Sequence, residues 1–173
     1  MDFDALFEAT YRPLRAYLAR ASGNESLAED LMQEAYLKVL GSPPRELDPR
    51  AQRAYVFTTA TRLLQAHWRS HRPVAWLRWQ DPGDEDPLDT LPCPAPGADQ
   101  VVFARQAVAH GWSGLTPRQR SLLWLAYVEG FDHAEIAASL GLRTASVKVL
   151  LYRARSRMAA NLHSLGLNLG DFP

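Results

Sequence analysis

Between Leu27 and Leu40 the chain reads LAEDLMQEAYLKVL, and its apolar positions return at helical spacing. Leu27, Ala28, Leu31, Met32, Ala35, Tyr36 and Val39 fall within one half of a wheel turning about 100° per residue, which predicts an amphipathic helix with that half against a core. Asp30, Gln33, Glu34 and Leu37 occupy the other half, at steps of three and four residues. An apolar side chain thus stands among carboxylates where no core needs it. Two readings fit: a solvated face with one stray leucine, or a docking strip for a partner helix that carries basic residues.

Residues 55 to 72, YVFTTATRLLQAHWRSHR, divide more sharply. Val56, Ala60, Leu63, Leu64 and His67 predict the buried side of a second helix, while Thr58, Arg62, Gln65, Arg69 and Arg72 line up on the opposite side. Arginines interleaved with hydrogen-bonding side chains suit a phosphate backbone. Tyr55, Phe57, Trp68, Trp76 and Trp79 add aromatic planes able to stack on unpaired bases, although Phe57 and Trp68 flank the apolar arc and read as core.

Farther along, Thr116, Pro117 and Gln119 have the order of an N-cap, a first helical residue and a capping-box partner, and Gly130 suits the end of that helix. HAEIAASL, 133 to 140, predicts a two-turn helix that Gly141 breaks, after which Thr144 is expected to cap a longer helix reaching about Leu162. Short helix, glycine turn and longer helix describe a helix-turn-helix, a pattern shared with other helical hairpins. In the longer helix Val147, Leu150, Leu151, Ala154 and Met158 share the buried arc, and Ala145, Lys148, Val149 and Tyr152 face outward near its start. Arg143, Lys148, Arg153, Arg155 and Arg157 leave this stretch without a compensating acid.

No segment alternates with period two, so the chain is expected to be all-α. The strongest internal boundary is 80–99, QDPGDEDPLDTLPCPAPGAD, with five of the twelve prolines. Its composition is that of an extended acidic linker, and in polyproline-like form twenty residues reach on the order of 60 Å. The predicted organisation is a helical unit over 1–79, the linker over 80–99, a second helical unit over 100–165 and a tail over 166–173. A formal charge of zero, from 19 basic and 19 acidic residues in 173, conceals this division. The blocks 1–44, 45–79, 80–110 and 111–173 carry −3, +5, −5 and +3, which puts the positive charge on the two candidate nucleic-acid stretches.

Other chemistry is poorly represented. A single cysteine, Cys93, excludes an internal disulfide framework and suits a reducing compartment. Cys93 has no adjacent base, and His67 and His71 have helical spacing without a third ligand in the motif, so neither a nucleophile nor a metal site is expected. No glycine-rich phosphate loop, Ser/His/Asp set or paired-carboxylate cleft emerges; an enzyme is disfavoured and no cofactor is expected. No apolar run approaches a membrane span of about 20 residues, and the acidic start MDFDALFEATYR is unlike a signal peptide, so the expected location is cytoplasmic, without membrane insertion.

Three stretches together, AEDLMQEAYLKVL (28–40), AYVFTTATRLLQAHWRSHR (54–72) and LTPRQRSLLWLAYVEGFDHAEIAASLGLRTASVKVLLYRARSRM (115–158), resemble regions 2 and 4 of an extracytoplasmic-function (ECF) sigma factor, in that family's order and spacing. The resemblance covers nearly the whole chain. It implies a two-domain initiation factor that binds core RNA polymerase, sets its second domain on the upstream promoter element and opens DNA at the downstream one. On this resemblance Asp30, Gln33, Glu34 and Leu37 match the surface for the polymerase clamp helices. Pro49 to Tyr55, including Arg53 and Tyr55, match the loop that takes up a flipped base, and Arg62, Gln65, Arg69 and Arg72 match the strand-tracking face that follows. Arg143, Thr144, Ala145, Lys148, Val149, Tyr152 and Arg153 match upstream-element contacts.

Two departures stand out. Val149 and Leu150 occupy positions where many members have a polar or basic pair, which leaves fewer base hydrogen bonds and suits contact with thymine methyl groups. The stretch 41–53, GSPPRELDPRAQR, differs from the family's short serine- and glycine-rich loop. Promoter DNA and core RNA polymerase are the implied partners, and the family adds an anti-sigma protein as a candidate. The alternatives are a helix-turn-helix regulator that does not bind polymerase and a protein-interaction adaptor that has lost DNA binding.

Overall fold

The computed structural model describes residues 2–43, 48–71 and 108–164. The linker 80–99, Arg72, Trp76, Trp79, Cys93 and the tail 166–173 lie outside the described residues, which contain helices and turns but no strand. Helix α1 (Phe3–Ser22) starts at Asp2, whose carboxylate accepts from the Ala5 N–H, and stops at Gly23, where φ is +70°. Helix α2 (Glu25–Gly41) follows at once because Asn24 accepts from the Leu27 N–H and caps it.

Helix α3 spans Pro49–His71 and is longer than the 55–72 expected from apolar spacing alone. Residues 49–55, assigned by resemblance to a loop, are helical. The cause is local: the Asp48 carboxylate accepts from the Ala51 N–H at 2.9 Å, and Pro49 holds the first helical position, where its missing N–H costs nothing. The apolar sides of these three helices meet around Leu14, Tyr17, Leu18, Val39, Val56, Phe57 and Leu64, all fully buried. Phe57 and Trp68 are core, as their place beside the apolar arc predicts, whereas Leu63 and His67 are only half-buried. Two tyrosine hydroxyls of this core are paired: Tyr17 with Thr61 at 2.9 Å, and Tyr36 with Thr10 at 2.8 Å. Thr61 and Thr10 spend their own protons on the carbonyls of Phe57 and Leu6, so the two tyrosines are the donors.

In the second half, a helical stretch at 108–113 leads to α4 (Pro117–Tyr127), α5 (His133–Leu140) and α6 (Thr144–His163). The predicted capping box of α4 is complete, with Thr116 Oγ1 accepting from the Gln119 N–H and Gln119 returning the bond to the Thr116 N–H. Gly130, at φ +69°, lets the chain turn after α4 so that the Phe131 N–H reaches the Leu125 carbonyl. Gly141, at φ +67°, makes the turn between α5 and α6. One expectation is corrected: Thr144 does not cap α6 but begins it. Arg143 holds the cap position without a side-chain bond, because its backbone is the extended one and its carbonyl accepts from the Ser146 N–H.

The two halves share one core. Phe57 of α3 meets Phe131 edge to face with ring centroids 5.5 Å apart, and the Trp112 indole donates to the Arg20 carbonyl of α1. Helix α3 lies against α5, and α1 against α4.

Candidate functional site

Helix α2 turns its predicted polar half outward. Asp30, Gln33, Glu34 and Leu37 are all exposed, Leu37 at 68%, while Ala28, Leu31, Met32, Ala35, Tyr36 and Val39 are buried beneath them. Leu40, also exposed and one turn beyond Leu37, lengthens the apolar line; its three-residue offset from Leu37 was legible in the sequence. Glu34 is the only member of the strip with an ion pair among the described residues, to Lys38 at 3.6 Å. A ridge of carboxylates with two leucines through it can receive a helix that offers both apolar and basic side chains.

The basic side of α3 is split by its neighbours. Arg62 and Arg69 face outward. Thr58 and Gln65 instead meet α5: the Thr58 and Ser139 hydroxyls lie 2.8 Å apart, and Gln65 Nε2 donates to the Leu140 carbonyl at 3.2 Å. Ser139 spends its proton on the Glu135 carbonyl, which makes Thr58 the donor. Arg53 pairs with Glu129, whose side chain is 1% exposed and also accepts from the Trp124 indole. The Tyr55 hydroxyl donates to the Ser42 carbonyl and ties α3 to the end of α2.

Arg50 is a contact that sequence reasoning missed. Its guanidinium forks onto Glu135, Nε to Oε1 at 3.0 Å and Nη2 to Oε2 at 2.9 Å, with Asp132 at 3.6 Å. Those hydrogen bonds hold the Glu135 carboxyl below the usual carboxylate range, against the opposing effect of its partial burial. Glu135 and Asp132 also form the capping box of α5. The spacing Asp-x-x-Glu was visible as a cap; its partner 85 positions earlier in the chain was not.

The start of α6 is open to solvent. Arg143, Thr144, Ala145, Lys148, Val149, Tyr152 and Arg153 are all exposed, with Val149 at 51% and Tyr152 at 63%. Val147, Leu151 and Ala154 are buried behind them, and Leu150 and Met158 are half-buried. Ser156 and Arg157 extend this face, lining with Tyr152, Arg153 and the start of α4 a groove of about 290 Å³. Cationic, hydroxyl and methyl-bearing groups on the leading turns of a helix are the set that meets phosphates and base edges in a major groove.

His67 and His71 stack on each other at 4.4 Å, with the His71 ring on the His67 carbonyl. Among the described residues no group of three or more His, Cys, Asp and Glu side chains is gathered for a metal, and no helix is long and apolar enough to cross a membrane.

Comparison with known proteins matches both halves. The Sigma-70 region 2 family model covers residues 6–74, and the Sigma-70, region 4 model covers 107–158. The probable ECF RNA polymerase sigma factor SigI of Mycobacterium tuberculosis is 29% identical over 168 residues, covering 89% of this chain and 56% of its own. SigL of the same species is 27% identical over 164 residues, covering 94% of this chain and 90% of its own, and SigG is 30% identical over 180 residues, at 91% and 48%. The chain thus spans about half the length of SigI and SigG and nearly all of SigL. In fold it is similar to the sigma factor RpoE of Bartonella quintana, solved in complex with the anti-sigma factor NepR: the TM-score is 0.65 at 22% identity, over 94% of this chain and 97% of that one. Two sigma-70 regions matched one after the other along this chain, with ECF sigma factors as relatives over most of its length, place it in the sigma-70 family, among the ECF sigma factors.

Proposed function

We propose that the protein is an initiation factor that brings core RNA polymerase to specific promoters. The observation that carries this reading is the pairing, on one chain, of an exposed acidic and leucine strip on α2 with an exposed basic recognition helix, α6. A plain helix-turn-helix regulator has no use for the first of these, and an adaptor without DNA binding has none for the second. Asp30, Gln33, Glu34 and Leu37 receive the polymerase. Arg143, Thr144, Ala145, Lys148, Val149, Tyr152 and Arg153 meet the upstream element, and Arg53, Tyr55, Arg62, Gln65, Arg69 and Arg72 meet the opened strand downstream. The unit boundaries that serve this reading are 1–79 and 100–165, and each family match lies wholly within one of these units. The protein recruits and positions rather than catalyses, works in the cytoplasm, and offers an anti-sigma protein the same surfaces.

The test is reconstitution. Purified protein mixed with core polymerase should co-elute with it and direct transcripts with discrete 5′ ends from genomic fragments. Core polymerase that remains separate and gives no such ends sinks the proposal.

A further inference from the structure

Tyr127, at the end of α4, and Arg155, on α6, meet on the surface. The Arg155 guanidinium donates to the Tyr127 hydroxyl at 2.9 Å, and both side chains stand in solvent, Tyr127 at 58% exposure. The upstream contacts named above include neither. We propose that the two form a binding site for a phosphodiester group, one that grips the DNA backbone beside the upstream element. The inference rests on the sigma-factor reading above and adds to it a backbone contact built from two helices.

The direction of the hydrogen bond decides what the pair can hold. The phenol oxygen accepts from Arg155, so its own proton is left to donate, and no other group takes it among the described residues. The remaining guanidinium N–H groups point to no carboxylate there either. The oxygens of one phosphate can therefore accept from both side chains at once, in the forked manner that suits arginine to phosphates. The two segments that supply the pair, 108–128 and 136–164, contain no Asp or Glu. Glu129, two residues beyond Tyr127, has a side chain 1% exposed and held by Arg53 and the Trp124 indole, so it does not compete.

Placement along α6 gives the pair its strand. Arg155 follows Lys148 by two helical turns and lies on the same line of the helix, about 10 Å farther along. Exposed Val149, Tyr152 and Ser156 form the ridge beside that line, and Arg153 and Arg157 lie on the ridge's other side. A helix whose leading turns reach base edges in a groove about 12 Å wide carries its later turns out past the rim, where the phosphates are. Arg155 therefore meets the backbone of one strand and Arg153 that of the other. Tyr127 supplies from α4 what α6 alone lacks, a second donor and a fixed direction for a long side chain whose ordering otherwise weighs against binding.

The test neutralises phosphates one at a time. The protein with core polymerase is titrated against duplexes from a promoter mapped in the reconstitution, each with one uncharged methylphosphonate linkage on one strand of the upstream element. For the parent, one such linkage should weaken binding roughly tenfold, the scale of a hydrogen bond to a charged group. Arg155→Ala should weaken binding to the unmodified duplex to the same extent, lower the salt slope by about one and lose sensitivity at that linkage alone. Arg153→Ala should lose it at a linkage on the opposite strand. Tyr127→Phe, which keeps the ring and the charge, should keep the salt slope and the unfolding midpoint yet respond less at the Arg155 linkage; a merely structural hydroxyl would move the midpoint and no particular linkage. If Arg155→Ala or Tyr127→Phe keeps the parent's sensitivity at every linkage, the phosphate site is overturned while the sigma-factor reading stands. A parent complex that binds no promoter fragment specifically overturns both.

Discussion

Leu37 is the side chain on which the two readings of α2 differ most. It stands 68% exposed between carboxylates, so removing it disturbs no packing. Leu37→Asp, or Gln33→Ala with Glu34→Lys, should weaken co-elution with core polymerase while circular dichroism stays at the parent level, because the second change reverses a charge across the interface. Unaltered co-elution would return the strip to a solvated face. On α6, Lys148→Ala and Arg153→Ala should differ in kind. Lys148, on the outward leading turns, is assigned to a base edge, so its loss should cost about 1 to 3 kcal/mol at one promoter position. Arg153, assigned to phosphate, should weaken all sequences alike and lower the salt slope by about one. Mobility-shift titrations at several salt concentrations separate the two. The buried Tyr17 hydroxyl gives a pH signature. Burial pushes it up to about 12 from an ordinary 10.0, and as the donor to Thr61 it cannot ionise without losing that bond. The unfolded chain releases this proton near the ordinary value, so the contribution of Tyr17 to stability is complete below that pH and declines as pH rises towards 12. Denaturant midpoints should fall across that window, and less steeply in Tyr17→Phe, which itself should cost about 1 kcal/mol at neutral pH.

Helix ends decided which parts of the fold could be foreseen. The capping box at Thr116 and the breaks at Gly130 and Gly141 were legible, because each is a short-range arrangement of a few side chains. Asp48 and Pro49 form an equally local signal, yet apolar periodicity alone put the start of α3 six residues too late, since the first turns carry Arg50, Gln52 and Arg53 rather than core. Position 144 misled in the other direction: a threonine before a helix suggests a cap, and only the backbone shows the cap one residue earlier, at Arg143. The cap of α5 is the element most open to test. Asp132 accepts from both the Ala134 and Glu135 N–H groups, so Asp132→Ala should cost about 1 kcal/mol, read from denaturant unfolding. Glu135 adds a dependence on acid. Its folded carboxyl lies below the ordinary value, so its contribution is present above that value and is lost as pH falls through the depressed one. Arg50→Ala should shrink this acid-sensitive part.

The two exposed faces were readable from spacing because each belongs to a single helix. How the halves meet was not, since Arg50 and Glu135, or Phe57 and Phe131, are joined by packing across more than seventy positions and leave no periodic trace. An acidic, proline-rich stretch of twenty residues argued for reach, while the paired core argues for closure. Scattering from the free chain distinguishes them. A compact chain of this length has a radius of gyration of about 16 Å, and separated halves should give a clearly larger value.

Glu135 holds two positions at once, closing the cap of α5 on Asp132 and gripping Arg50 across the halves. This limits the order in which substitutions can accumulate in a lineage. Glutamine at 135 retains a capping-box partner but gives up the charge, so it is tolerable once position 50 is no longer basic. Arginine at 50, by contrast, has no second duty and can be lost first. Descendants should therefore show Arg50 only together with Glu135, and Glu135 in many chains that have lost Arg50.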